Sequence, residues 1–252
     1  MKLKPTLLAT SLAFTILSGC SNTPDEIVVA EQSEVEARYL EAKDLLAQGN
    51  YVRAAEILSA LDASFPFGPY SHQIQLDLIY SYYKTDNTSQ ALASIDRFLK
   101  LNPTHPDIDY VYYMRGLTNM KAARNALQEM AGIDRFDRDI TEHRNAFNDF
   151  NTIINQYPQS KYAKDARQRM VYIKDFIAHS ELAVAEYYMR RGAYVAAANR
   201  AKYVLEHLGD TGQVERALEM MLVSYRELEL TDLYENTYQV LKLNYPENAL
   251  VN

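Results

Sequence analysis

The sequence of 252 residues contains a single cysteine and no tryptophan. One thiol excludes a disulfide within the chain, so packing must supply the stability. It also leaves no thiolate set for zinc. The five histidines, His72, His105, His143, His179 and His207, lie 28 to 38 residues apart, with no i, i+4 pair among them. They read as surface or cap residues. No glycine-rich phosphate loop, G-x-S-x-G elbow or paired catalytic motif occurs. Asp134, Asp137 and Asp139 alternate like half a calcium loop, but arginines interleave them and no glutamate follows at the required offset. No enzyme, metal or cofactor is expected. Cations are also in deficit: 26 Lys and Arg face 33 Asp and Glu, a net charge of −7. That balance argues against nucleic acid, whose phosphates need clustered cations.

Long apolar runs are missing too. Leu7–Leu17 is apolar over only 11 residues, whereas a bilayer span needs about twenty. Preceded by Lys2 and Lys4, it suits the core of a signal peptide spanning residues 1–19. It ends in Leu17-Ser18-Gly19-Cys20, which resembles a lipobox, so Cys20 is the expected lipidation site. Ser21 follows where an aspartate would resemble an inner-membrane retention signal, which points to the outer membrane. Several acyl chains on one cysteine meet the requirement for stable anchoring. Cleavage removes the two lysines, taking −7 to −9. Residues 20–33 read as a lipidated tether without helical periodicity.

A repeat dominates the rest. Ala54, Leu58, Leu61 and Pro66 form the first copy; Ala91, Ile95, Phe98 and Pro103 the second; Ala146, Phe150, Ile153 and Pro158 the third. Ala197, Ala201 and Val204 form a fourth that ends at Gly209, and Tyr234, Tyr238, Leu241 and Pro246 a degenerate fifth. The i, i+4, i+7 spacing puts each set on one helical face, and proline ends the helix. A further helical segment precedes each copy: 34–48, 71–84, 107–126, 182–190 and 213–228. Helix pairs of about 34 residues are the tetratricopeptide unit, each burying its apolar face against its neighbours. The expected fold is therefore all-α, a tetratricopeptide solenoid of about five helix pairs in two packed sub-arrays. Repeats 1–3 occupy residues 34–158, with an extended loop at about 128–141. Residues 159–252 hold a linking helix at 161–177 and repeats 4–5.

Tyrosine is abundant, at 20 residues. Most should pack between helices, as Tyr82 and Tyr112 do in this register. Aligning the repeats places Tyr39, Tyr80, Tyr83 and Tyr113 on the inner face of the first helices, with Lys84 and Lys121 beside them. Rigid rings with a hydroxyl suit peptide capture. The segment Phe65-Pro66-Phe67-Gly68-Pro69-Tyr70 is a stiff corner between repeats or a preformed edge for a peptide. Ser71 after it reads as a helix N-cap. The second sub-array carries Lys161, Lys164, Arg167, Arg169, Lys174, Arg190, Arg191, Arg200 and Lys202. These cations read as a solvated face or as a protein interface.

The stretches at 65–71, Gln75–Tyr80, Leu101–Pro106 and Met114–Met120, with Ala185-Glu186-Tyr187-Tyr188, resemble the ComL (BamD) lipoprotein family of the β-barrel assembly machinery. That resemblance implies a subunit on the periplasmic face of the outer membrane. It implies that the N-terminal half receives C-terminal targeting signals of unfolded β-barrel proteins, with Phe65, Phe67, Tyr70 and the groove tyrosines as contacts. It further implies docking of the C-terminal half on the barrel-forming subunit through Arg190, Asn199 and Arg200, beside accessory lipoproteins. Val52 stands where an arginine would be expected. The competing reading is a repeat lipoprotein that scaffolds enzymes of peptidoglycan synthesis or hydrolysis.

Overall fold

The computed structural model describes residues 24–128 and 140–252. Among these, ten helices follow in order: α1 (Pro24–Ala47), α2 (Tyr51–Ser64), α3 (Ser71–Lys84), α4 (Thr88–Leu101), α5 (Ile108–Gln128), α6 (Thr141–Gln156), α7 (Ala163–Arg190), α8 (Tyr194–His207), α9 (Val214–Glu227) and α10 (Thr231–Asn244). Each packs on its predecessor. The result is a stack of five helix pairs, a tetratricopeptide solenoid.

The repeat residues are the structural reason. Ala54, Ala91, Ala146 and Ala197 are fully buried, as are Leu58, Ile95, Phe150 and Ala201 one turn later. Gly116 of α5 faces Phe150 of α6 so closely that a Cβ would sit 2.6 Å from the ring. The second helices end alike: the amides of Phe65, Asn102, Tyr157, Leu208 and Tyr245 bond to carbonyls four residues back, and a proline or Gly209 follows each. Within four pairs the turn passes through one left-handed residue: Gly49, Asp86, Gly192 and Glu229, with φ of 77°, 59°, 73° and 57°. Two of these are not glycine, in a region that L residues seldom adopt.

Four expectations change. The first helix begins at Pro24, ten residues inside the expected tether; proline suits the first helical position because its fixed φ matches and its missing donor is not needed there. The linking helix and the first helix of the fourth pair are a single helix of 28 residues, α7. Nothing between them breaks it: residues 178–181 (AHSE) contain no proline or glycine, and Ala178, Ser180 and Glu181 are buried. The two sub-arrays therefore share α7, and one core cluster runs from Ala146 of α6 to Tyr225 of α9. Ser71 is the first helical residue, not a cap; Tyr70 holds the cap position without a side-chain bond. Finally, His143 is buried, not a surface residue. The predicted lipobox at Cys20, and the loop with Asp134, Asp137 and Asp139, lie outside the described residues.

Candidate functional site

First helices of successive pairs touch one another, α3 with α5 and α7 with α9. They line the inner side of the stack, and tyrosines bridge them. Tyr39 of α1 donates to Asp77 Oδ2 of α3 at 2.8 Å, and Lys43 pairs with the same oxygen at 3.1 Å. Tyr113 of α5 donates to Asp165 Oδ2 of α7 at 2.7 Å, where Arg169 also binds. Between these ties run ring contacts: Tyr39 with Tyr70 at 5.5 Å, Tyr51 with Tyr80 at 5.8 Å, Tyr110 with Tyr162 at 5.8 Å, and Tyr113 stacked on Tyr162 at 4.5 Å.

Cations rest on this aromatic row. Lys84 Nζ lies 5.0 Å from the Tyr51 ring centre and 5.8 Å from that of Tyr80. Lys121 Nζ lies 4.5 Å from the Tyr83 ring centre, donates to the Tyr83 carbonyl at 2.6 Å and pairs with Asp86 at 2.8 Å. Burial, and then the hydrogen bond to Asp165, push the Tyr113 hydroxyl up to about 12. Burial first and Asp77 second raise Tyr39. Both phenols are uncharged at any physiological pH, and each spends its proton on the carboxylate that holds it.

The structure therefore gathers Tyr70, Tyr80, Tyr83, Lys84 and Tyr113 on one side as half-buried or exposed groups. It corrects Tyr39, which is only 6% exposed. Its ring is sealed between α1, α2 and α3, so it shapes the groove wall and offers no surface to a ligand. The Phe65–Tyr70 corner splits. Phe65 and Tyr70 pack on the α1–α3 core, whereas Phe67 is 94% exposed. Sequence reasoning missed Tyr162, whose spacing to Asp165 and Arg169 (i, i+3, i+7) was the available signal.

The C-terminal site residues form no comparable row. Asn199 is exposed. Arg190 pairs with Glu186 at 3.6 Å, which Arg216 also holds at 2.7 Å. Arg200 Nη1 donates to Glu181 Oε2 at 2.7 Å, while Arg144 Nη2 of α6 donates to Oε1 at 3.0 Å. Glu181 is 5% exposed. Arg200 thus has a structural commitment that was invisible in sequence: with Arg144 it neutralises a buried carboxylate between α6 and α8.

Among described residues, no group of three or more His, Cys, Asp or Glu is placed to hold a metal ion, and no helix is long and apolar enough to cross a membrane. The model of the YfiO family, described as outer membrane lipoprotein, matches residues 31–241. The chain belongs to this family. Relatives of this YfiO-family chain include an outer membrane protein assembly factor BamD from Vibrio cholerae, 45% identical over 233 residues, or 92% of this chain and 95% of that one. The protein of the same name from Neisseria gonorrhoeae is 39% identical over 252 residues, covering 99% and 94% of the two chains. Among solved structures, a tetratricopeptide repeat protein from Parabacteroides merdae aligns with a TM-score of 0.37 at 15% identity, over 83% of this chain and 79% of its own.

Proposed function

We propose that this protein is a non-catalytic subunit of the outer-membrane β-barrel assembly machinery. Its N-terminal inner face holds the C-terminal targeting signal of an unfolded β-barrel protein, and its C-terminal half docks on the barrel-forming subunit. The observation that carries this reading is the row of half-buried tyrosines Tyr80, Tyr83 and Tyr113 on the first helices α3 and α5. Rigid rings bury large area at low entropic cost, and their hydroxyls bond backbone groups of an extended peptide. Phe67 stands in solvent in the corner between α2 and α3. The family and the assembly-factor names of its relatives support the same reading.

Holding requires no bond to be made or broken, so no cofactor enters. The only covalent group is the lipid on Cys20, which anchors the chain on the periplasmic face of the outer membrane. Arg190, Asn199 and the outward edge of Arg200 form the docking region, with accessory lipoproteins beside it. Photo-crosslinking amino acids at positions 67, 80 and 199 in cells test the assignment. Positions 67 and 80 should capture β-barrel precursors only when the precursor retains its last residues, and position 199 should capture the barrel-forming subunit. Capture of murein enzymes in place of both would replace this reading with the peptidoglycan scaffold.

A further inference from the structure

Residues of α3, α5, α6 and α7 line a pocket of about 280 Å³. Lys121 and Arg124 reach it from α5 and Arg169 from α7, in a chain whose net charge is −7. Among the described residues no carboxylate lines it. The nearby acids lie outside the lining: Asp86 pairs with Lys121, Asp165 pairs with Arg169, and Glu142 lies near His143. Those pairs hold two of the cations in place. An ammonium with three donors and a guanidinium with five keep capacity for a further anion. Arg124 is exposed. It forms no ion pair among the described residues, and Asp86 feels its charge only at longer range.

A second observation is independent of the cations. His143, in the first turn of α6, also lines the pocket. It is 7% exposed, and among the described residues its Nδ1 has no hydrogen-bond partner. Buried polar atoms are nearly always paired, so this atom marks a place for a further partner. A neutral imidazole protonated on Nδ1 would donate to an anion there. Stacking on Phe176 at 4.0 Å fixes the ring. Ile140 at the cap position of α6 makes no side-chain bond to the first turn, so the positive end of the helix adds to the attraction.

We infer that this pocket is a binding site for the phosphate group of a small organic phosphate ester. Its donors arrive from three sides: α5, α7 and the first turn of α6. A tetrahedral phosphate turns three oxygens toward three such sides and keeps the fourth for its substituent. A planar carboxylate offers only two oxygens in one plane. Arginine forks take phosphate through paired hydrogen bonds, and helix starts are ready-made phosphate seats. The rings of Tyr83, Tyr172 and Phe176 complete the wall and give the substituent an apolar surface. This site is separate in chemistry from the peptide-holding reading and does not depend on it. The same phosphate chemistry is offered by a free phosphorylated solute and by the headgroup of a membrane phospholipid.

The test is equilibrium binding to the mature lipidated protein in a maltoside detergent and a phosphate-free buffer. The probes are inorganic phosphate, acetate, glycerol 3-phosphate and glycerophosphoglycerol, the last being the diester head of phosphatidylglycerol without its acyl chains. Inorganic phosphate and at least one ester should bind, and acetate should bind roughly tenfold more weakly, the scale of one charge-assisted bond. Arg124→Gln, at an exposed position, should weaken phosphate by a similar factor with helicity unchanged. A preference for the monoester assigns the site to a free phosphorylated solute, and equal or tighter binding of the diester assigns it to a lipid headgroup. Binding of neither phosphate nor the esters would overturn the site. Acetate binding as tightly as phosphate would overturn the ligand chemistry, and phosphate binding unchanged in Arg124→Gln would overturn the location.

Discussion

The two halves of the solenoid tie their helices with a different mix of side chains. In the N-terminal half, and across to α7, phenol hydroxyls donate to single carboxylates, as Tyr39 does to Asp77 and Tyr113 to Asp165. In the C-terminal half, guanidinium groups do this work: Arg216 reaches from α9 to Glu186 of α7, and Arg144 and Arg200 share Glu181. The phenol donors are neutral, although Lys43 shares Asp77 and Arg169 shares Asp165 with them. Charged ties leave a surface whose cations are partly committed, so a partner docking there must compete with acids already present. The contrast shows that one repeat can be tied together by phenols or by guanidinium groups.

The largest effect should come from reversing a charge at the buried end of the second chemistry. Arg200→Glu sets a carboxylate against Glu181 and leaves Arg144 to balance two acids. A cost of about 3 kcal/mol in unfolding free energy is expected, the range for breaking a buried pair. Arg200→Gln should cost clearly less while removing the same docking charge. Denaturant unfolding of both variants separates stability from docking; equal midpoints for Arg200→Glu and wild type would dissolve the distinction between the halves. A loss of co-purification seen only in Arg200→Glu would report misfolding, not a contact.

A matched pair sharpens the comparison further. Tyr39→Phe removes a buried hydroxyl and should cost about 1 kcal/mol, unchanged between low and high salt. Arg216→Gln removes a half-exposed ion pair and should cost well under about 1 kcal/mol, falling toward zero in high salt as screening grows. Melting curves at two ionic strengths decide this; a salt-sensitive Tyr39→Phe would contradict the neutral-tie account.

The smallest effect is a pH slope at the junction of the halves. Burial holds the His143 imidazole below its ordinary value, partly offset by Glu142. The folded protein therefore keeps it neutral while the unfolded chain takes up a proton near pH 6.5. Its contribution is complete above that value and is lost as pH falls below it, at no more than about 1.4 kcal/mol per pH unit. His143→Gln should flatten the fall in stability between pH 7 and 5, and an identical slope in both proteins would show that other groups dominate.

Local patterns were legible wherever a side chain's fate follows from its own helix. The alanine and leucine faces and the terminating prolines depend on spacing and backbone preference alone. The continuity of α7 was not legible, because the repeat suggested a boundary where the chain has no breaker. Nor was the burial of Tyr39 and His143: each is decided by how closely the adjacent helix approaches, which a single helix does not encode. The tyrosines of the candidate groove could be picked out by aligning the repeats, whereas Lys121, Arg124, His143 and Arg169 line one pocket from three helices and leave no linear pattern.

By itself the sequence determined that this chain is a series of amphipathic helix pairs rich in tyrosine. Periodicity and helix-ending residues are local, so they survive in one dimension. Only the tertiary structure decided which rings are sealed and which are open, and that one glutamate serves arginines 37 residues before it and 19 after it. It also gathered three cations and the buried His143 imidazole around one pocket. Those outcomes depend on distances between helices, fixed by close packing at points such as Gly116 against Phe150, and no linear pattern specifies them.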